Sequence, residues 1–419
     1  MLKIAKIAYR NLLRYSRRTW LTVILISIGM VAVLLYVSLA DSFKQLMIGQ
    51  ITDAMLGHLQ IHRTGYVASI DNSPLNLNLS PVEVQQVETL VKQYPETLSY
   101  SVRLKFSGML SNFQETTGIR LNGINPQQEL KTLPLMEYRV LDENHNKIAE
   151  PSLQPGEIWL PELLAKGLNV KRGDPVVIVA TNKDGSVNGL NFTVSGVLGI
   201  VTGPGGKDGY MNMESARQLL RIDTTEANEI SVRLSNLNLA ESISRKLGLE
   251  LSSLKNGAGQ PLFEVHPWSK LTPFANIAKI IDVLTLFVKG ILIAIVLVSI
   301  MNVMLMAVYE RIREIGTIAA IGTSPGKIRA LFLTEGFFLG VLGSIVGSLI
   351  AVGIIQLLRW NPISFQFGAN PEPLTLLPTI PVQQLVVTFI IVVVVSTLAS
   401  LQPAFKASRL EPIEALRHY

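Results

Sequence analysis

The chain of 419 residues has no cysteine, and only 16% of its residues are charged. A protein without thiols has no disulfide scaffold, zinc ribbon, iron–sulfur cluster or cysteine nucleophile. About a quarter of the residues are charged in ordinary soluble domains, so the low charge excludes a disordered chain and a coiled-coil rod. With 48% hydrophobic residues, the chain instead has the composition of a protein that lies partly in a membrane.

Four apolar stretches have about the length that crosses the hydrocarbon core, roughly 20 residues of helix. The last of them contains the β-branched run Ile390–Val395, which in water would suit a buried strand. An isolated strand cannot satisfy its hydrogen bonds in lipid, so a helix is predicted here too. We therefore predict a polytopic α-helical membrane protein with four transmembrane helices, over residues 19–40, 276–308, 330–358 and 385–401.

The first apolar stretch has an alternative interpretation as a cleaved signal peptide. Basic residues precede it, and Ser38-Leu39-Ala40 resembles a cleavage site. Its apolar part is longer than a typical signal core, so we expect an uncleaved membrane anchor.

Lysine and arginine residues flank the four helices unequally. Six precede the first helix, four lie in the 309–329 loop and three follow the last helix, whereas residues 359–384 contain one. Positively charged flanks face the cytoplasm, so we expect a multi-pass protein of the bacterial inner membrane. Its two terminal segments (1–18 and 402–419) and the 309–329 loop would be cytoplasmic, and the short 359–384 loop periplasmic.

Residues 41–275 are expected to form a large α+β periplasmic domain between helices 1 and 2. The segment carries a net charge of −3, so the chain's overall +6 reflects topology and not a nucleic-acid surface. Ser80-Pro81, followed by Glu83, is the pattern of a capped helix start. Strand and helix patterns recur near both ends of the segment, with strands near 57–62, 98–110, 229–234 and 262–266 and a second helix near 239–247. We predict one porter-like subdomain from 41–114 and 226–275, and an inserted β-rich subdomain over 115–225.

No catalytic or metal site is predicted in this domain. Gly203-Pro204-Gly205-Gly206-Lys207 lacks the spacing of a phosphate-binding Walker A loop, and no Ser or Thr follows the lysine. His58 and His62 have metal-ligand spacing only on a helix, but their surroundings are strand-like and no acidic residue completes a set. We predict two solvated strand histidines.

The loop after the second helix has an amphipathic pattern. The charged cluster of Arg311, Arg313 and Glu314 precedes Ile315, Ile318, Ala319 and Ile321, which can share one helix face; Gly322 then ends the helix. Such a helix inserts into a partner's groove or lies at the lipid interface. The residues alone leave both possibilities open.

Two features of the third helix concern its packing. Gly336 and Gly340 are four residues apart, as are Gly343 and Gly347, a spacing that favours close helix approach. Glu335 lies near the cytoplasmic edge, where it either pairs with a basic residue of the 309–329 loop or reaches lipid headgroups. No second deep acidic residue is present that would form an ion pathway.

Several motifs resemble the ABC permeases of the MacB, FtsX and LolC/LolE type (type VII). The loop sequence R-I-R-E-I-G-T-I-A-A-I-G-T-S-P-G-K-I, from Arg311, is similar to the family's coupling region, and the tail 403–417 to its C-terminal signature. The segment 156–176 is similar to the inserted subdomain. The layout, one helix, a large outer domain and three more helices, covers the whole chain.

The resemblance implies a transport subunit that is not itself an enzyme. MacB carries its ATPase on the same chain, whereas this sequence starts at the permease helices, which implies a separate cytoplasmic ATPase subunit that binds ATP-Mg. The chain itself would bind no cofactor or metal. The implied ATPase-coupling residues are Arg311, Arg313, Glu314, Ile315, Gly316, Ile318, Ala319, Ile321 and Gly322.

The resemblance also implies how such a subunit works. Two permease protomers, identical or related, would move their outer domains as ATP is hydrolysed, which is called mechanotransmission. The expected outcome is lipoprotein release from the inner membrane, or efflux with a periplasmic adaptor. The alternative is an FtsX-like, non-transporting regulator of a cell-wall hydrolase.

Overall fold

The structure is a computed structural model that describes residues 2–142, 146–199, 204–257, 259–271, 274–365 and 374–411. The chain divides into two units. We call the first the membrane unit; it takes in residues up to Lys44, the segment Lys279–Ile363 and the chain from Thr375 onward. The second, the α+β domain, consists mainly of Gln45–Ala278.

Four helices in the described residues are long and apolar enough to cross a membrane, as predicted. They are TM1 (Ser16–Ile51), TM2 (Phe274–Glu310), TM3 (Pro325–Trp360) and TM4 (Val382–Ala399). Each begins earlier than the apolar run alone suggested, and TM1 ends 11 residues beyond the predicted limit at residue 40, because polar residues also continue a helix once it is started.

Shorter elements complete this part of the chain. Three further helices are Leu2–Arg14, Ile312–Ala320 and Leu401–Ser408, and two short strands, Ile363–Phe365 and Leu374–Leu376, pair with each other. We call Ile312–Ala320 the loop helix and Leu2–Arg14 the N-terminal helix. The N-terminal helix was not predicted. The last part of the tail motif, residues 412–417, lies outside the described residues.

The α+β domain contains a ten-stranded, mostly antiparallel sheet. Its strands are β1 (Leu59–Arg63), β2 (Thr97–Ser111), β3 (Thr116–Ile124), β4 (Val140–Leu141), β5 (Glu157–Pro161), β6 (Pro175–Thr181), β7 (Val187–Leu198), β8 (Asp208–Asn212), β9 (Glu229–Leu234) and β10 (Phe263–Pro267). The main order is β10-β1-β9-β2-β3-β8-β5-β7-β4, and β6 pairs with β2 and β7. The pairs β3–β8 and β5–β7 are parallel.

Helices cover this sheet. The α-helices are Pro81–Gln93, Pro126–Thr132, Met136–Arg139, Glu162–Gly167, Met213–Leu220, Ala240–Leu251 and Trp268–Leu271. Short turns of other helix types are Thr52–Leu56, Val67–Asn72, Leu75–Leu77, Pro204–Lys207 and Leu237–Leu239. The predicted helix start at Ser80 is confirmed: Ser80 Oγ accepts from the amide of Glu83 at 3.4 Å, and the Glu83 carboxylate accepts from the amide of Ser80 at 2.7 Å.

The predicted strands near both ends of the domain are confirmed as β1, β2, β9 and β10. The strand β2 connects two apolar clusters. Leu104, Phe106 and Leu110 belong to a cluster with β3 and β5–β8, while Tyr100 and Val102 pack on a cluster with β1, β9 and β10. The predicted subdomains therefore share one sheet, and their boundaries stay predictions. The helices Pro126–Thr132 and Met213–Leu220 of the middle section were missed.

The prediction that His58 and His62 are solvated is wrong. His58 is 6% exposed and His62 is fully buried. Because β1 lies inside the sheet and both of its faces are covered, its alternating sequence does not mark a wet face. His62 bonds the carbonyl of Asn228 at 2.8 Å and the side-chain oxygen of Gln60 at 3.1 Å, and burial lowers its pKa. The described residues contain no metal-ligand cluster.

A buried ion network joins several strands of the α+β domain. The guanidinium of Arg103 lies 2.5 Å from the Glu229 carboxylate and 2.8 Å from that of Glu129, and all three side chains are at most 1% exposed. Lys105 reaches the second oxygen of Glu229 at 2.7 Å. Burial alone would raise the pKa of Glu229, but Lys105 and Arg103 outweigh it and hold the pKa at about 2.

Replacing Arg103 by Met should lower the free energy of unfolding of the α+β domain by about 3–5 kcal/mol, because it leaves two buried carboxylates without their shared cation. Lys105→Met is the matched control; it should cost clearly less, since Lys105 is partly exposed and Glu229 keeps Arg103. Denaturant unfolding of the full chain, followed by the fluorescence of buried Trp159, measures both. Equal losses would contradict the central role of Arg103.

Candidate functional site

The candidate site is the loop between TM2 and TM3 together with the helices that hold it. The loop helix follows TM2 after one residue, Arg311. It ends before Gly322, whose positive φ of 94° reverses the chain. Ser324 then stands as N-cap residue and Pro325 as first residue of TM3. The loop helix is thus joined to TM2 through one residue and to TM3 through a short turn.

A buried carboxylate lies at the centre of the site. Glu335, on TM3, is 0% exposed. One oxygen accepts from Asn11 Nδ2 at 2.8 Å and from Arg311 Nη1 at 3.2 Å, and the other lies 3.9 Å from Arg18 Nη2. Of the two predicted roles for Glu335, the pairing with a basic residue of the loop is confirmed. A buried carboxylate requires such partners, since a lone charge in a low-dielectric interior is very costly.

Arg311 connects Glu335 to the loop helix. It is 6% exposed and also donates to Glu314 at 3.0 Å. Burial alone would lower the pKa of Arg311. The charge of Glu335 and the bond to Glu314 outweigh burial, so the pKa is raised. The hydroxyl of Tyr15 donates to Glu314 at 2.6 Å. This bond has the largest effect on the pKa of Glu314 and lowers it, and Arg311 lowers it too. Burial raises the pKa, but by less. Both side chains therefore stay charged at neutral pH.

The N-terminal residues of this site were missed from the sequence. Asn11, Tyr15 and Arg18 lie at intervals of four and three residues, the spacing of one helix face. Ala8 and Leu12, on the same stretch, are at most 3% exposed. This spacing is the sequence signal for a packed helix, whereas the six basic residues of the segment indicate topology and not packing.

The prediction that the apolar residues of the loop helix share one face differs from the structure, where some of them are buried and others exposed. Ile315 is 5% exposed and belongs to the core of the membrane unit, and Ala319 packs against that core. Ile318 is 40% and Ile321 80% exposed. At 100° per residue, Ala319 lies about 40° from Ile315 on one side of the helix, and Ile318 lies about 60° from it on the other side. Ile321 follows the last helical residue.

The other predicted coupling residues divide in the same way. Gly316 is buried, whereas Arg313 and Gly322 are exposed. The loop helix therefore has an inner side, held by Ile315, Gly316 and the ion pairs, and an outer side that carries Ile318 and Ile321.

The four glycines of TM3 face two different helices. A Cβ added at Gly336 or Gly340 would come within 2.8 Å of the side chains of Ser400 or Ser396, and one at Gly343 or Gly347 within 2.7 Å of Ile26 or Met30. Serine hydroxyls bond across both contacts: Ser396 Oγ donates to the carbonyl of Gly336 at 2.8 Å, and Ser27 Oγ to that of Gly343 at 3.0 Å. TM3 therefore touches TM1 and the TM4 region at backbone distance.

Comparisons with known proteins identify similar sequences over most of the chain. The model of the MacB-like periplasmic core domain matches residues 19–248, and that of the FtsX-like permease C-terminal region matches residues 286–412. The chain is 25% identical over 326 residues to the lipoprotein-releasing system transmembrane protein LolC of Xylella fastidiosa, covering 71% of this chain and 72% of LolC.

A second relative is longer than this chain. The macrolide export ATP-binding/permease protein MacB of Haemophilus ducreyi is 22% identical over 419 residues, covering 98% of this chain but 55% of that protein. Among solved structures, the periplasmic region of MacB from Actinobacillus actinomycetemcomitans matches with 18% identity and a TM-score of 0.35, covering 52% of this chain and 92% of that one.

The Glu335 pairing is tested by Glu335→Gln. The change should accelerate amide hydrogen exchange in the loop helix and the N-terminal helix at least tenfold, because Arg311 and Arg18 lose their shared anion while the side chain keeps its size. Glu310→Gln, at an exposed position of TM2, removes the same charge as a control and should leave both helices protected. Hydrogen exchange with mass spectrometry on the full chain gives the answer; unchanged protection in Glu335→Gln would refute the pairing.

The glycine contacts are tested by two substitutions within TM3. A Cβ at Gly347 would approach the carbonyl oxygen of Ser27 to 2.9 Å, whereas nothing lies within 4 Å of one at Gly353. Gly347→Ala should therefore lower the midpoint of thermal unfolding in detergent. Gly353→Ala should leave the midpoint unchanged or raise it, since Ala is favoured in helices by about 1 kcal/mol. Equal midpoints would mean that TM1 and TM3 do not pack this closely.

Proposed function

Since this chain belongs to the FtsX-like, MacB-like family of ABC transporter permeases, we propose that it couples ATP hydrolysis by a separate ATPase subunit to movement of its α+β domain. The observation that carries the proposal is the loop helix. Its outer side presents Ile318 and Ile321, and its inner side is bound through Arg311 to the buried Glu335. A short helix with exposed apolar residues and a rigid base is suited to a groove on a partner protein.

The relatives support a partner that supplies the ATPase. Nearly the whole chain aligns with MacB of Haemophilus ducreyi, yet covers 55% of that ATP-binding/permease protein, and the two matching family models describe a periplasmic core and a permease region. We assign ATP-Mg to the partner chain and no cofactor to this one. Two permease protomers over two ATPase subunits complete the proposed complex.

The proposed motion starts at the loop helix. When ATP binding draws the ATPase subunits together, the loop helix moves with them. Because Glu335 ties Arg311 to Asn11 and Arg18, the starts of TM1 and TM3 move too. TM1 and TM2 precede and follow the α+β domain in the chain, so their displacement reaches both of its ends. A shift of a two-state equilibrium from 1:99 to 99:1 requires only about 5.5 kcal/mol.

We propose that the termini and the loop helix lie in the cytoplasm and the α+β domain in the periplasm, a topology that the distribution of positive charge supports. We propose transport, either lipoprotein release or efflux with a periplasmic adaptor, in keeping with the names of the LolC and MacB relatives. Regulation of a cell-wall hydrolase is the weaker alternative. The match of 19–248 to the MacB-like core domain favours transport, since division-type FtsX has a much smaller outer domain.

The double substitution Ile318→Asp with Ile321→Asp should abolish co-purification of the ATPase while the protein stays folded in the membrane. Both side chains are exposed, so charging them disturbs a partner and not the core. Ile315 is unsuitable for this test, because it is buried and Ile315→Asp would destabilise the chain itself.

The matched control is Val187→Asp with Leu249→Asp, two exposed apolar positions of the α+β domain. This pair introduces the same charges and should retain the ATPase. Affinity purification from the native host, with immunoblotting or mass spectrometry for the ATPase, compares the two. Full retention by the loop variant would rule out this helix as the docking element.

A further inference from the structure

A cavity of about 650 Å³ lies where the beginning of TM1 meets the end of TM2. Its lining combines three arginines, an acidic residue and apolar side chains, namely Arg14, Tyr15, Ser16, Arg17, Arg18, Leu21, Val303, Met306 and Glu310. The loop helix contributes nothing to it. The cavity is therefore a feature separate from the docking side of the loop helix.

The positive charge at the cavity exceeds what its neighbours neutralise. Arg14 lies 3.9 Å from Glu314 with its side chain 73% exposed, and Arg18 lies 3.9 Å from Glu335; both distances are long for an ion pair. Arg17 has no ion pair within the described ranges, and Nη1 of Arg18 is buried without a hydrogen-bond partner there. Glu310 supplies one opposing charge to three arginines.

The guanidinium groups also crowd one ring. Those of Arg14, Arg18 and Arg311 lie 5.8, 5.6 and 5.0 Å from the centre of Tyr15. Arg14 and Arg18 also line the cavity. An anion bound between them and Arg17 would reduce the repulsion between these like charges.

The polar and apolar parts of the lining are separated along the helix axes. Arg17 precedes Leu21 by one helical turn, about 6 Å, and Met306 precedes Glu310 by the same distance on the antiparallel TM2. The apolar part is open: Leu21 is 67% and Met306 61% exposed. Trp20, 61% exposed, lies at the boundary, where tryptophan is enriched in membrane proteins.

We propose that this cavity binds an anionic phospholipid, with the phosphodiester between Arg14, Arg17 and Arg18 and an acyl chain along Leu21, Val303 and Met306. Basic cavities between membrane helices suit such headgroups. A soluble phosphate would use only the arginines and contact none of the apolar side chains. An acidic protein segment would likewise leave the apolar side chains, one turn deeper, without a partner.

The lipid is expected to bind TM1 and TM2 together at the level where Arg18 reaches Glu335. Anionic lipid content would then set how firmly the two helices that flank the α+β domain are joined at this end.

Quenching of Trp20 by brominated lipids tests the proposal on the full chain in nanodiscs. In a Trp360→Phe background, Trp20 is the one tryptophan left in the membrane unit. Trp159 and Trp268 belong to the α+β domain, and their fluorescence should not be quenched. Brominated phosphatidylglycerol should associate with Trp20 about fivefold more strongly than brominated phosphatidylcholine, as one well-placed arginine contributes about 1 kcal/mol. In the reciprocal Trp20→Phe background, Trp360, at the other end of TM3, should show no preference.

Arg14→Gln with Arg17→Gln should reduce the preference at Trp20 to near onefold. Lys6→Gln with Arg10→Gln removes the same charge from exposed positions that do not line the cavity, and should retain the preference. Raising the salt concentration should weaken the preference of the unaltered chain.

Three outcomes would overturn the proposal. One is an equal preference for phosphatidylglycerol at Trp20 and Trp360, or an equal preference in the Arg14/Arg17 and Lys6/Arg10 variants. Either result would indicate general attraction to a charged bilayer. Another is displacement of the preference by millimolar inorganic phosphate, which would assign the arginines to a soluble anion. The third is an unchanged preference in Arg14→Gln with Arg17→Gln; loss of the ATPase from the same variant in affinity purification would then assign the arginines to a protein partner.

Discussion

The membrane unit depends on the neutralisation of one buried carboxylate. Glu335 has no access to water, and a charge in that position is tolerated only when cations and hydrogen-bond donors surround it. Its donors come from parts of the chain that are 24 and 324 residues away. The loop, the N-terminal helix and TM3 must therefore assemble together, and none of them can shift far without exposing an unpaired charge.

The α+β domain contains a network of the same kind around Arg103, which holds Glu129 and Glu229 and connects β2 to β9 and to the helix Pro126–Thr132. The strand β2 also joins the two apolar clusters of the domain. Buried ion pairs contribute little net stability, but the loss of one partner is costly. In both units the ion network thus fixes which elements meet, while apolar burial supplies the stability.

The sequence predicted those features that depend on local or one-dimensional constraints. The membrane thickness sets the minimum length of the apolar run within each of TM1 to TM4, and Ser80 and Glu83 are close enough in the chain to reveal their mutual bonds. It did not reveal the partners of Glu335 or the burial of His62, because both depend on side chains brought together by folding. The predicted apolar face of the loop helix differs from the structure for a local reason. Ile318 and Ile321 are apolar, but their positions around the helix differ from that of Ile315, so they are exposed.

The placement of the glycines makes TM3 the helix through which a displacement of the loop would spread. Gly336 and Gly340 lie against the TM4 region, and Gly343 and Gly347 lie against TM1. At such distances, a shift of TM3 meets backbone and Cβ atoms, which cannot yield by changing rotamer. The loop helix is joined to TM3 through Gly322 and through Arg311 and Glu335. A force on its outer side would consequently reach TM1 as well as TM3, as the proposed coupling requires.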